Sequence, residues 1–330
     1  MSGWIRACAM SEPADTRHAA DAPRTAARAS PTRQAWRRFW QNRAAVVSAV
    51  LLAGLGLGVL VGPALSAYAP DAFVGGQFEP PSWRHWAGTD VHGRDLLTRV
   101  LVGARLSLVV GAVGTAVSLV LGVLWGALAG YVGGRVDAWM MRTVDGLYAM
   151  PTLVFVIVVV TVLNGLVEQW EGAGGTAVPA VWIRTAGLLL GIAAVSWLTM
   201  ARIVRGEVLS LRTRPFVEAS RALGAGTARI VLRHILPNVS GVVIVYLALT
   251  VPTVMLYESF LSFLGLGLQP PQASLGSLIA EGATQINPIR VYWWMIVAPA
   301  GTLVTLLLAL NFVADGLRDA FDPRARHPGA

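Results

Sequence analysis

Six runs in this chain, 44–66, 106–131, 146–167, 185–201, 238–257 and 291–314, contain no Asp, Glu, Arg or His. Crossing a hydrocarbon core of about 30 Å takes roughly 20 residues of helix. Each run is therefore a candidate span, and the shortest, 185–201, is expected to extend past Arg184 or Arg202. With 55% hydrophobic and 13% charged residues over 330 positions, the chain is too apolar for a soluble domain of this length. The expected fold class is all-α, a polytopic membrane protein with six transmembrane helices.

Charge sets the orientation. All 26 basic residues in the Lys+Arg count are Arg, since the sequence contains no Lys. With both termini inside, only Arg84, Arg94, Arg99, Arg105, Arg184 and Arg290 face out, so 20 of the 26 lie on the cytoplasmic side, as the positive-inside rule requires. The net charge of +8 follows this distribution and has no aromatic stacking platform beside it, which excludes nucleic acid as a partner. Cys8 is the only cysteine, so no intrachain disulfide forms.

Residues 1–33 have no apolar period and read as a disordered cytoplasmic tail. WRRFWQNR at 36–43 forms a basic, aromatic belt suited to lipid headgroups, so 34–66 reads as an amphipathic anchor followed by the first span. The segment 67–105 is the largest outer loop, broken by Pro80, Pro81 and Gly93, and 106–324 holds the other five spans ahead of a short tail, 325–330. Gly54, Gly58 and Gly62, like Gly122, Gly126 and Gly130, recur every four residues; such stripes let helices approach closely, either within the chain or against a second subunit. Pro151 and Pro252 are expected to kink or open their spans.

Nothing in the sequence harvests energy or performs catalysis. A Walker A loop needs a Lys on the phosphates, and there is none. HExxH and GxSxG are both absent, and His18, His85, His92, His234 and His327 are scattered, so neither a catalytic nor a metal site is expected. Ion-coupled carriers place carboxylates near the bilayer midplane. Here Asp145 and Glu258 lie near span ends, and Glu258 is expected close to the outer leaflet, either as a packing carboxylate or as a contact with solute or outer gate.

The segment 202–237 lies between the fourth and fifth spans and is patterned where a linker would not be. Pro215 suits the first turn of a short helix and Gly224 its left-handed end. Thr227 is expected to cap a second helix ended by Pro237. Phe216, Ala219, Ser220 and Leu223 share one face of the first helix, with Glu218 and Arg221 on its flank. Such a helix–turn–helix finger either docks in a partner's groove or caps the membrane surface by itself.

EASRALG followed by HILP resembles the EAA signature of the permease subunits of bacterial ABC importers: Glu-Ala-Ala, three residues, Gly, nine residues, Ile-x-Leu-Pro. Glu218, Ala219, Gly224, Leu236 and Pro237 match at that spacing, while Ser220 replaces the second Ala and His234 the Ile. GTDVHGRDLLTRVLVGARLSL at 88–108, ESFLSFLGLGLQPPQASLG at 258–276 and DGLRDAFDPR at 315–324 resemble the C-type permease of dipeptide, oligopeptide and nickel importers. Ala273 and Leu275 depart from the Pro-Ser-Trp-Gly of that family. The resemblance implies a type I importer permease fold in the bacterial inner membrane, with Glu218, Ala219, Ser220, Leu223, Gly224, Leu236 and Pro237 coupling to separate ATPase subunits. It also implies a B-type permease partner, two ATPase subunits that bind the ATP, and an extracytoplasmic solute-binding protein, with no cofactor on this chain. Peptide, nickel, glutathione and opine all fit as solutes. An ion-coupled carrier or channel, or a membrane scaffold, is the reading in other classes.

Overall fold

A computed structural model describes residues 31–172, 180–268, 272–287 and 289–321. Cys8, His18, His327, the tail 325–330 and the tail up to residue 30 lie outside the described residues. The chain is helical, with two isolated bridges, Phe73 to Arg94 and Thr89 to Asp95, in place of strands among the described residues.

Helix α1 (Pro31–Gln41) is the anchor, beginning inside the segment read as tail. It buries Ala35 and Phe39 against the end of the last helix and leaves Trp36 and Trp40 more than half exposed, the division a headgroup-level helix needs. Asn42 separates it from α2 (Arg43–Leu65) and caps α2 through Oδ1, which accepts from Ala45 N at 3.3 Å.

Six helical stretches are long and apolar enough to span: α2, α3 (Leu96–Val132), α5 (Thr152–Gly172), α6 (Ala180–Leu211), the run Thr227–Phe263 and α11 (Trp294–Phe321). Between them lie α4 (Gly134–Tyr148), α7 (Pro215–Ala222), α8 (Thr227–Ile230), α9 (Leu236–Phe263) and α10 (Leu275–Thr284). At 1.5 Å per residue, the 37-residue α3 is about 55 Å long and overshoots the bilayer.

Several boundaries differ from the sequence reading, each for a local reason. The loop read as 67–105 stops at residue 95, because Asp95 caps α3 by accepting from Thr98 N at 2.9 Å; residues 96–105 are helix. The third span does not begin at 146. Pro151 separates α4 from α5, so Asp145 sits on α4 and not at a span end. The fourth span passes both Arg184 and Arg202, whose partners Glu168 and Asp145 lie at 3.9 and 2.6 Å. The last span runs on to Phe321. Pro252 lies inside α9, which continues through it to Phe263, so Glu258 falls within the helix.

The two glycine stripes have different fates. A Cβ on Gly122 would meet Met200 Cβ at 2.6 Å, on Gly126 Ala201 O at 2.4 Å, and on Gly130 Arg205 O at 2.9 Å, so α3 lies directly on α6. This is the most extensive helix pair in the chain. On α2 only the last of the three is covered: a Cβ on Gly62 would meet Leu101 Cδ1 of α3 at 2.7 Å, whereas one on Gly54 or Gly58 would meet nothing within 4 Å. Around the α3–α6 pair, α9 and α2 pack on α3, α5 packs on α6, and α11 closes the bundle against α2 and α9. Val110, Val156, Leu188, Ile192, Leu198 and Leu261 fill one core; Leu96, Met255, Leu275, Leu278, Met295 and Leu306 fill another.

Candidate functional site

The finger at 202–237 forms as a short cap rooted in the bundle. Arg214, extended at φ −77° and ψ 145°, precedes Pro215 in the first turn of α7, where the missing N–H costs nothing. Glu218 in that turn complements the positive end of the helix dipole. Gly224, at φ +80°, closes α7: its N–H reaches Arg221 O at 3.0 Å, and Ala225 N reaches Ser220 O at 3.1 Å.

What holds the finger down is a residue the apolar-face reading passed over. Val217 is fully buried with Ile230, Ile235, Val239, Val204 and Val208. Phe216 and Leu223 point outward, with Leu223 88% exposed, and Leu232 in the second half of the finger is 64% exposed. Glu218, Ala219 and Gly224 are exposed as well, while Ser220 is half-buried and donates its hydroxyl to Phe216 O at 2.8 Å. One face of α7 thus packs on the bundle, and the opposite face presents uncovered apolar side chains beside a carboxylate.

The second half of the finger departs from expectation. Gly226, not Thr227, is the N-cap of α8, and Thr227 makes no side-chain cap. Pro237 does not end a separate helix. With no N–H for Arg233 O, it leaves the hydrogen-bond ladder to widen into a π turn, Val231–Ile235, in which Leu236 N reaches back to Val231 O. Asn238 Nδ2 then donates to His234 O at 2.6 Å, and the chain enters α9 without a break; Leu236 is half-buried there and Pro237 exposed.

Glu258 lies far from the finger and is fully buried. Ser107 Oγ of α3 donates to it at 2.8 Å and Ser262 Oγ at 2.7 Å, with Ser259 Oγ at 3.3 Å. Ser107 Oγ also accepts from Leu275 N at the start of α10 at 3.4 Å, and Ser262 Oγ from Leu268 N at 3.4 Å. The carboxylate therefore ties α3, α9 and the start of α10 together. Residue spacing could not reveal this, because Ser107 is distant in the chain.

A second polar cluster fixes the loop between α2 and α3. Asp90 Oδ2 accepts from Arg94 Nε at 2.6 Å and pairs with Arg99, and Arg99 Nη1 lies 2.9 Å from Glu281 Oε2 of α10. Burial pushes the Asp90 carboxyl up, but hydrogen bonds from the backbone N–H of Arg94 and His92 and the charge of Arg99 outweigh it and leave it below its ordinary value. Asp90, His92 and Glu281 come close enough to surround a cation, but two guanidinium groups already neutralise the carboxylates. His85, also buried, pairs through Nδ1 with Asp95 at 3.0 Å.

The comparisons with known proteins agree with this architecture. The family described as "Binding-protein-dependent transport system inner membrane component" matches residues 122–327, and "N-terminal TM domain of oligopeptide transport permease C" matches 30–81. The oligopeptide transport system permease protein OppC of Escherichia coli is 45% identical over 294 residues, covering 88% of this chain and 90% of its own. OppC of Haemophilus influenzae is 40% identical over 301 residues, with 88% of each chain covered. The dipeptide transport system permease protein DppC of Bacillus subtilis is 39% identical over 298 residues, covering 90% of this chain and 87% of its own. With its six spanning helices and this match over most of its length, the chain belongs to the family of binding-protein-dependent transport system inner membrane components, the non-catalytic permeases of ABC importers.

Proposed function

We propose that this chain is the permease subunit of an ATP-binding-cassette importer that moves peptides across the cytoplasmic membrane by alternating access. Its relatives carry oligopeptide and dipeptide transport in their names. Energy arrives through the finger at 202–237, which docks into one of two ATPase subunits, while the chain pairs with a B-type permease and receives solute from an extracytoplasmic binding protein. ATP is bound by the partners, and both termini lie in the cytoplasm, the side that collects 20 of the 26 Arg. ATP-driven closure of the ATPase subunits changes the relative energies of two packings of the permease pair.

The observation that carries this reading is the outward pair Phe216 and Leu223 beside Glu218, on a helix pinned from behind by Val217. A short amphipathic element with its apolar side uncovered is built for a groove. Glu258 acts here as a tie between α3, α9 and α10, since it is sealed from solvent by three serine hydroxyls.

Glu218→Lys reverses the charge at the docking face, and Gly224→Asp places a carboxylate at its tip. Each is expected to abolish ATP-dependent uptake of a labelled peptide in proteoliposomes holding the whole complex, with normal membrane insertion. Full uptake by either variant contradicts the coupling assignment.

A further inference from the structure

Tyr246, Thr250, Thr253 and Tyr257 recur at i, i+4, i+7 and i+11 along α9, so four hydroxyl-bearing side chains share one stripe of a membrane-spanning helix. The structure shows what they face. A cavity of about 260 Å³ opens between this stripe, the end of α4, the start of α5 and α6, with Tyr148 and Thr199 on its opposite wall. None of its lining residues is charged. The nearest ion pair, Arg202 with Asp145 at 2.6 Å, stands beside it, with Arg202 stacked 3.9 Å over the Tyr148 ring.

The hydroxyls are not directed at random. Thr250 Oγ1 donates to Tyr246 O at 2.7 Å and Thr253 Oγ1 to Leu249 O at 3.1 Å, each spending its proton within the helix and leaving oxygen lone pairs for another donor. Tyr148 OH and Thr199 Oγ1 hydrogen-bond one another across the α4–α6 side. A helix face in contact with hydrocarbon gains nothing from such a row, whereas a face lining a wet path needs it. The volume admits water, which requires only a cavity of roughly 15 Å³ and polar partners.

We propose that this hydroxyl-lined cleft is the chain's own wall of the solute path, and that it receives solute N–H groups on neutral oxygen acceptors. Resting on the peptide-importer reading, this assigns the contact to the part every peptide shares, its backbone amides and ammonium end, and leaves side chains unread. Neutral acceptors also bind weakly enough to release, as conduction through a path demands.

The test exploits the single native cysteine. In a Cys8→Ser background, within the complete transporter, Thr250→Cys and Thr253→Cys are treated with a membrane-impermeant quaternary-ammonium methanethiosulfonate, and Ile244→Cys, on the opposite face of α9, serves as control. Both stripe variants are expected to react at least tenfold faster than the control in one of the nucleotide-free or ATP-bound states. Equal reactivity in both states overturns the proposal. Independently, the double variant Thr250→Val, Thr253→Val removes the acceptors at constant shape. It is expected to lower ATP-driven uptake of trialanine about tenfold while binding-protein-stimulated ATP hydrolysis persists; unchanged uptake overturns the proposal too. The labelling contrast holds whatever the solute, whereas failure of wild-type trialanine uptake strikes the peptide reading alone.

Discussion

At the scale of single residues, buried polar groups hold this protein's irregular parts in place. Asp90 is the clearest case, because it is completely buried, faces two guanidinium groups and anchors the loop between α2 and α3 to α10 through Arg99 and Glu281. A carboxyl whose folded pKa lies below its ordinary 3.8 stabilises the fold above that value. The stabilisation is lost as pH falls through the lower, folded value. Asp90→Asn is therefore expected to destabilise the solubilised chain by on the order of 2 kcal/mol at neutral pH, since it leaves Arg94 and Arg99 to share the one carboxylate of Glu281. The gap to wild type should close as the medium is acidified below about pH 4. Thermal unfolding followed across that range checks it, and a gap independent of pH contradicts it. Glu258 teaches the complementary lesson. Its carboxylate was visible in the sequence at the end of an apolar run, yet its three serine partners, one of them from α3, were not.

At the scale of elements, identical spacing conceals different environments. Gly122, Gly126 and Gly130 put α3 against the backbone of α6, whereas Gly54 and Gly58 face open space on α2. Gly126→Leu would drive a side chain into Ala201 O and is expected to lower the melting temperature of the solubilised chain or prevent its accumulation. Gly58→Leu is expected to leave the melting temperature unchanged. The reverse ranking contradicts the packing described. Periodicity supplied the stripes but not their neighbours, because a helix repeat says which residues share a face and nothing about what covers it. The same limit explains α7. Its apolar face was legible as Phe216, Ala219, Ser220 and Leu223, but the residue that roots it, Val217, belongs to the other side and was invisible without α6 and α9 behind it. Pro237 was misjudged because a proline signals the end of one helix and the first turn of the next equally well; here it does the second, and the π turn before it absorbs the lost hydrogen bond.

At the scale of the whole molecule, six long apolar runs were enough to predict the number of spans, since hydrocarbon thickness imposes a length that no other constraint mimics. Helices too short to span answer to no such ruler, which is why α4 and α10 had to be found in the structure, whereas α1 showed itself through its basic, aromatic belt. The hydroxyl stripe of α9 was present in the sequence at regular spacing, but four uncharged residues in an apolar run carry little signal until a cavity appears beside them. What unites these levels is a non-catalytic bundle, closely packed where α3 lies on α6, with an uncovered apolar tip at one end. The most direct test is a cross-link. In the Cys8→Ser background, Leu223→Cys carries a short thiol-reactive photo-cross-linker in the assembled complex. The account predicts an adduct between this chain and an ATPase subunit, formed only from the cytoplasmic side. An adduct with the extracytoplasmic binding protein, or labelling of Leu223→Cys by an impermeant reagent on intact cells, would contradict it.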